Sequence, residues 1–416
     1  MKFGFTFFLL LFFASCATQQ YDKTINVAKT YDKNSIALTS DFNVQHVSNI
    51  QSVLSIRIPV KSLVFVISNG KNEAQINLMY QLLDPQNLNA PSDTVFRTLT
   101  IDASYQKEEW FTYKIPLSLM DSKNYILDIQ LKDFTKNEVF KQYVFANKSN
   151  INSKGYFEVS EPETGNEKFG QFLSVNQKMK VKYLGNSINK IYVRCYFRDF
   201  PLPAPPFSSN ITKAFQYAAD SIYSIDIQQN EFEISFPKIG FYHFQVDSTI
   251  SKDGLTFHVF NEKFPFVKKV DQMYLPLRYI TDNREFDELS KAEKKKPVID
   301  KFWISHAGNQ QRARELISEY YNRVQDANLY FSSYVEGWKS DRGILYIVFG
   351  KPSVVRRGPL SETWVYGQEG NVNSLVITFF KVNNPFTDND YLMDRSEIYK
   401  TAWYRAVDLW RQGRVY

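Results

Sequence analysis

Apolar residues recur at every second position over much of the first two-thirds of the chain. Leu54, Ile56, Ile58 and Val60 alternate with Ser55, Arg57 and Pro59. Ala74, Ile76, Leu78, Tyr80 and Leu82 alternate with Gln75, Asn77, Met79 and Gln81. Tyr125, Leu127, Ile129 and Leu131 alternate with Ile126, Asp128, Gln130 and Lys132. This spacing gives each strand one core face and excludes an amphipathic helix, whose stripe needs steps of three and four. Shorter apolar runs at residues 63–67, 95–101, 110–115 and 139–145 fill the intervals. About seven strands with polar turns predict an antiparallel, Ig-like β-sandwich over residues 38–150. Asn69 and Gly70 supply a hairpin-type turn pair.

A second set of strands predicts a second sandwich over residues 155–266, with the Asn- and Ser-containing stretch 146–154 as linker. In the run 191–198, Ile191, Val193, Cys195 and Phe197 share one strand face, and Arg194 and Arg198 the other. Cys195 therefore reads as a small core residue rather than a nucleophile. Residues 199–207 hold Pro201, Pro203, Pro205 and Pro206 between Phe200 and Phe207. Such a stiff extended loop could present rings to a partner, or clamp an edge crossover on its own domain.

Composition agrees with a β-rich, multidomain chain. Its 416 residues include 35 Phe, 26 Tyr and 6 Trp, against only 16 Gly and 16 Pro. The 44% of hydrophobic residues excludes wholesale disorder. The net charge of +6 is scattered, with no basic tract to serve as a nucleic-acid footprint.

From residue 268 the period lengthens. Ser290 and Glu293 have capping-box spacing, Pro297 kinks or restarts the helix, and Asn309 can cap the next one. There Ala313, Leu316, Ile317, Tyr320, Val324, Ala327 and Phe331 form one apolar stripe, and Glu319 can pair with Arg323. Strands are expected at 344–349, 363–366 and 375–381. A last helix is expected from the cap Ser396 to Gln412, with Gly413 as its stop. The result is an α+β unit over residues 268–416.

Between the striped helix and the run 344–349 stand Gly337, Trp338, Ser340, Asp341, Arg342 and Gly343. Turn chemistry accounts for each: a glycine free to take positive φ at a helix end, a Trp plug, short oxygens that bond nearby N–H groups, and Gly343 to enter the strand. A ligand site would instead use Ser340 and Asp341, with Arg342 holding an anion. Lys351, Arg356 and Arg357 form a small basic loop that could meet phosphate or acidic groups. The turn resembles the motif of the GWxTD family, with Ser340 in place of the named Thr. Phe302, Trp303, Trp364 and Tyr366 look like further family positions. The resemblance covers roughly residues 270–416. It implies a Gram-negative envelope protein, often a lipoprotein, and assigns no activity.

Residues 1–15 pair Lys2 with an apolar run from Phe3 to Phe13, too short to span ~30 Å of hydrocarbon as a helix. Ala14 and Ser15 then precede Cys16. This resembles a bacterial lipoprotein signal, which implies lipidation of Cys16, a tether over residues 16–37 and membrane attachment. Ala17 after the cysteine favours the outer membrane. The periplasmic face is expected, with the cell surface as the alternative.

Catalytic signatures are lacking. His46, His243, His258 and His306 show no zinc-type spacing, and His243 and His258 fall on the polar faces of their strands. Neither a G-x-S-x-G, a P-loop nor a G-x-G-x-x-G occurs. Asp388 and Asp390 lack EF-hand spacing and read as a turn. The sequence therefore predicts no cofactor, no metal and no catalytic residue. It predicts a non-enzymatic envelope adaptor, in which two sandwiches hold the α+β domain away from the membrane for an envelope protein partner. A glycan-binding module, or a hydrolase with scattered carboxylates, are the alternatives.

Overall fold

The computed structural model describes residues 25–33, 35–68, 70–209 and 216–415. The signal segment, Cys16 and Asn69 lie outside the described residues. The chain is mainly β with a C-terminal α+β domain, in three bodies.

In the first body the three-stranded sheet Asp41–His46, Gln51–Pro59 and Trp110–Ser118 faces a five-stranded sheet. The latter comprises Val66–Ser68, Lys71–Leu83, Asp93–Asp102, Asn124–Asp133 and Glu138–Asn147. The alternating residues Leu54, Ile56, Ile76, Leu78, Leu127 and Ile129 meet in the core, each at most 1% exposed. The second body repeats this three-plus-five layout. Its core takes in Val181, Val193 and Phe244. Cys195 lies in the same core, its thiol pushed up to about 11 by burial.

The stretch 146–154 is structured rather than a free linker. The Asn152 side chain accepts from the Val246 and Asp247 amides at 2.8 and 3.0 Å. The Lys148 ammonium is buried, and donates to the Ser48 and Leu119 carbonyls at 2.6 and 2.7 Å.

The third body stacks helices α1 (Asn283–Lys291), α2 (Lys295–Ala307), α3 (Gln310–Phe331), α4 (Asp341–Phe349) and α5 (Lys400–Arg411) on a four-stranded antiparallel sheet. Asn309 caps α3 through the Arg312 amide at 2.8 Å, and Glu319 meets Arg323 at 2.8 Å, as the spacing predicts. Two expectations fail here. The capping box is Asp282 with Glu285 at the start of α1, and Ser290 lies in that helix's last turn. The run 344–349 is helical, not a strand, because the Ser340 cap nucleates α4. Residues 341–348 are all buried, and a helix covered on every side shows no stripe for the pattern to betray.

The third body packs against both sandwiches. Phe386 of the third packs against the stacked rings of Tyr196 and Phe241 of the second, ring centroids 5.0 Å from each. Arg357 of the third donates to the Lys141 carbonyl and the Gln142 amide oxygen of the first at 3.1 and 2.7 Å. Residues 25–31 of the expected tether are not free chain. Val27, Ala28 and Tyr31 belong to the core of the third body. The Val27 amide donates to the Val355 carbonyl at 3.0 Å along the sheet edge.

Candidate functional site

The corner between α3 and α4 is closed by its own residues. Ser332 Oγ donates to the Asn328 carbonyl at 2.7 Å and accepts from the Gly337 amide at 2.8 Å. This turns the chain back against α3. Gly337 does not take a left-handed φ. A glycine is required there because a Cβ would fall 1.8 Å from the Ala327 carbonyl oxygen. Gly343 has the same cause: its Cβ would lie 1.9 Å from the Gly337 carbonyl oxygen. Trp338 is buried, edge-on to Tyr279 at 6.3 Å, whose hydroxyl donates to the Trp338 carbonyl at 3.0 Å.

Ser340 Oγ donates to the Gly337 carbonyl at 2.7 Å and accepts from the Gly343 amide at 3.0 Å. Ser340→Ala therefore lowers stability by about 1 kcal/mol, the usual worth of an N-cap. Ser340→Thr keeps the hydroxyl and most of that stability. Urea unfolding followed by Trp fluorescence measures both. Equal losses in the two variants would show that the hydroxyl is not what matters.

The charged members of the motif are also engaged. Both Asp341 oxygens receive Arg395, at 2.6 and 2.8 Å, and one also accepts from the Met393 amide at 2.8 Å. The buried Arg342 guanidinium lies over the Tyr391 ring at 4.1 Å and donates to the Asn389 carbonyl at 3.0 Å. Its anion is internal: Glu362, at 3.8 Å.

Glu362 is the hub that sequence reasoning missed. Fully buried, it accepts from Trp364 Nε1 at 2.6 Å, Arg357 Nε at 2.9 Å and the Tyr31 hydroxyl at 2.8 Å. Burial pushes its carboxyl up, but Arg357 and Arg342 outweigh this and leave it below the usual range. Burial likewise raises the Tyr31 phenol. The signal was present in the strand Ser361–Tyr366, where Glu362 shares the inward face with Trp364 and so needs internal cations.

The remaining candidates are absorbed into the fold. Lys351 meets Asp32 at 2.6 Å and Arg356 meets Glu369 at 2.7 Å, so the basic loop is paired within the chain. Asp388 pairs with Lys154, and Asp390 accepts from Asn384 at 2.8 Å. The Pro201–Pro206 loop packs on the third body, while Phe200 at its start stacks on Phe241 of its own domain at 6.1 Å. The Pro206 carbonyl accepts from the Ser396 amide at 3.1 Å, and Ala204 from Arg395 at 3.1 Å. Phe207 meets Tyr404 at 5.3 Å. It is a strap between domains, with Pro201 and Pro205 exposed.

His243 and His258 are buried, not on solvent faces, because Phe386 covers that side of their sheet. His243 bonds Thr256 Oγ1 at 2.8 Å and the Lys252 carbonyl at 2.9 Å. His46 bonds Ser52 Oγ at 2.9 Å and the Asn147 carbonyl at 3.0 Å. Among the described residues, no group of three His, Cys, Asp or Glu side chains could hold a metal ion. A cleft of about 420 Å³ contains Glu108 and Glu109 beside Trp110. These carboxylates are consecutive and exposed, unlike a facing acid–base pair.

A likeness to the crystal structure of a glycosyl hydrolase family 2 member from Bacteroides cellulosilyticus spans 34% of this chain and 19% of that one, at 8% identity and a TM-score of 0.18. It is too slight to bear on fold or function. None of the curated proteins matches the chain. The family model of the GWxTD domain matches residues 240–412, from the last hairpin of the second sandwich through α5. The chain thus carries a GWxTD domain, and the closed corner at Gly337–Asp341 is its motif.

Proposed function

We propose that the chain is a non-enzymatic lipoprotein of the outer membrane, anchored through Cys16, that acts as a structural adaptor in a cell-envelope assembly. The observation that carries this reading is that the motif side chains serve the fold itself. Asp341 is held by Arg395, Ser340 caps α4, and Arg342 faces Glu362. The packed residues 25–31 support a particular geometry. Only eight residues lie between Cys16 and Ile25, nine steps along the chain, which reach about 30 Å at full extension. An acyl chain on Cys16 would therefore hold the GWxTD domain close to the bilayer, not away from it. The sandwiches would then carry the outward contacts.

Cells fed labelled palmitate test the anchor. Labelled wild-type protein is expected in the outer-membrane fraction, and Cys16→Ser is expected to lose both label and membrane association. Cross-linking before mild detergent extraction, read by mass spectrometry, is expected to recover an envelope protein. Unlabelled wild-type protein in the cytosol, or the absence of any cross-linked protein, would overturn the reading.

A further inference from the structure

The outward face of the first sandwich's five-stranded sheet is divided. Towards the third body it is covered: Ile126 and Asp128 are at most 1% exposed, and Asp128 pairs with Lys141 at 3.2 Å. At the other end it opens into a cleft of about 370 Å³. Three strands build the cleft floor. Phe96 of the edge strand faces Met79 of the central strand, which faces Gln130 of the next. One row along, Thr98 faces Asn77, which faces Lys132. Phe134, just past the last of these strands, closes the far side.

The lining chemistry is mixed in a way that plain solvent does not require. Phe96 and Phe134 are 71% and 61% exposed. The amides of Asn77 and Gln130 and the Thr98 hydroxyl lie on the floor. One cation, Lys132, stands on this face, and the lining has no carboxylate. The Lys132 ammonium stands 4.4 Å over the Phe134 ring. Rings stack on the C–H faces of a pyranose, amides and hydroxyls bond its hydroxyl groups, and an unbalanced cation selects a carboxylate. We propose that this cleft binds an acidic glycan, a uronic-acid oligosaccharide of two to three units. The proposal rests on the cleft alone and is independent of the adaptor reading.

Titration calorimetry of the full chain with the trimers of galacturonate, glucuronate and mannuronate, and with neutral maltotriose, tests it. At least one uronate trimer is expected to bind, more weakly as salt is raised, and maltotriose about tenfold or more below it. The surface variant Phe96→Ala/Phe134→Ala is expected to fold normally by circular dichroism and to bind about tenfold more weakly. Lys132→Gln is expected to lose the preference for the uronate. Failure of all three uronates to bind, equal affinity for maltotriose, or unchanged binding by the double variant would overturn the proposal.

Discussion

Replacing Glu362 by Ala is expected to lower the stability of the GWxTD domain by about 3–5 kcal/mol, the range for removing one partner from a buried ionic cluster. The substitution leaves the Arg357 guanidinium, and that of Arg342 nearby, without their carboxylate in a fully buried site. It also strips the acceptor from Trp364 Nε1 and from the Tyr31 hydroxyl. Urea titration read by Trp fluorescence reports it directly, since Trp364 touches the deleted group. Tyr31→Phe removes a single hydroxyl from the same cluster and is expected to lose only about 1 kcal/mol. If the Glu362 variant fell no further than the Tyr31 variant, the cluster would not be what holds residues 25–31 in place.

Acid is expected to be the second strong perturbation, well above the range where carboxylates protonate. Burial lowers His46 to about 4 and His243 and His258 each to about 3. The Asn147 carbonyl, Lys148 and Asp121 face His46; the Lys252 carbonyl and Arg194 face His243; His243 and the Phe386 carbonyl face His258. The sign follows from proton counting. Unfolded histidines titrate near 6.5, so below that pH the unfolded chain binds protons that the folded chain refuses. Each site then removes stability at about 1.4 kcal/mol per pH unit until its folded value is reached. Three sites together give a loss of the order of 5 kcal/mol between pH 7 and pH 5. Glu362, lowered in the fold, adds its own loss only further down, as pH falls through its depressed value. Denaturation midpoints at pH 7.5, 6 and 5 measure the slope, and His46→Gln should reduce it by one proton. A flat profile from pH 7 to pH 5 would mean that these rings charge freely in the native protein.

The sandwiches were legible because half-buried strands write their burial into the sequence. Leu54, Ile56 and Ile58 mark a core face directly, and the stripe from Ala313 to Phe331 did the same for α3. Caps were legible where the chemistry is local, as at Asn309 and Ser396. What failed depended on neighbours distant in sequence. Residues 344–349 are apolar all round, and only packing distinguishes helix from strand there. His243 and His258 alternate as an exposed face should, yet Phe386, more than a hundred residues later, covers them. Gly337 is demanded by a carbonyl ten residues back rather than by its own dihedral angles. Residues 25–31 carry no period at all, since a segment laid along a sheet edge needs only Val27, Ala28 and Tyr31 to find pockets.

The docking of Tyr31 beside Glu362 joins positions 331 residues apart, and both sandwiches lie between them. Mechanically, the chain is a loop fastened at its neck. Tension drawn through the N-terminal end loads the sheet edge at Val355 and the phenol of Tyr31 first, and the sandwiches are shielded until that fastening shears. Folding inherits the same geometry: the GWxTD core cannot close over Val27 and Tyr31 until nearly the whole polypeptide has emerged.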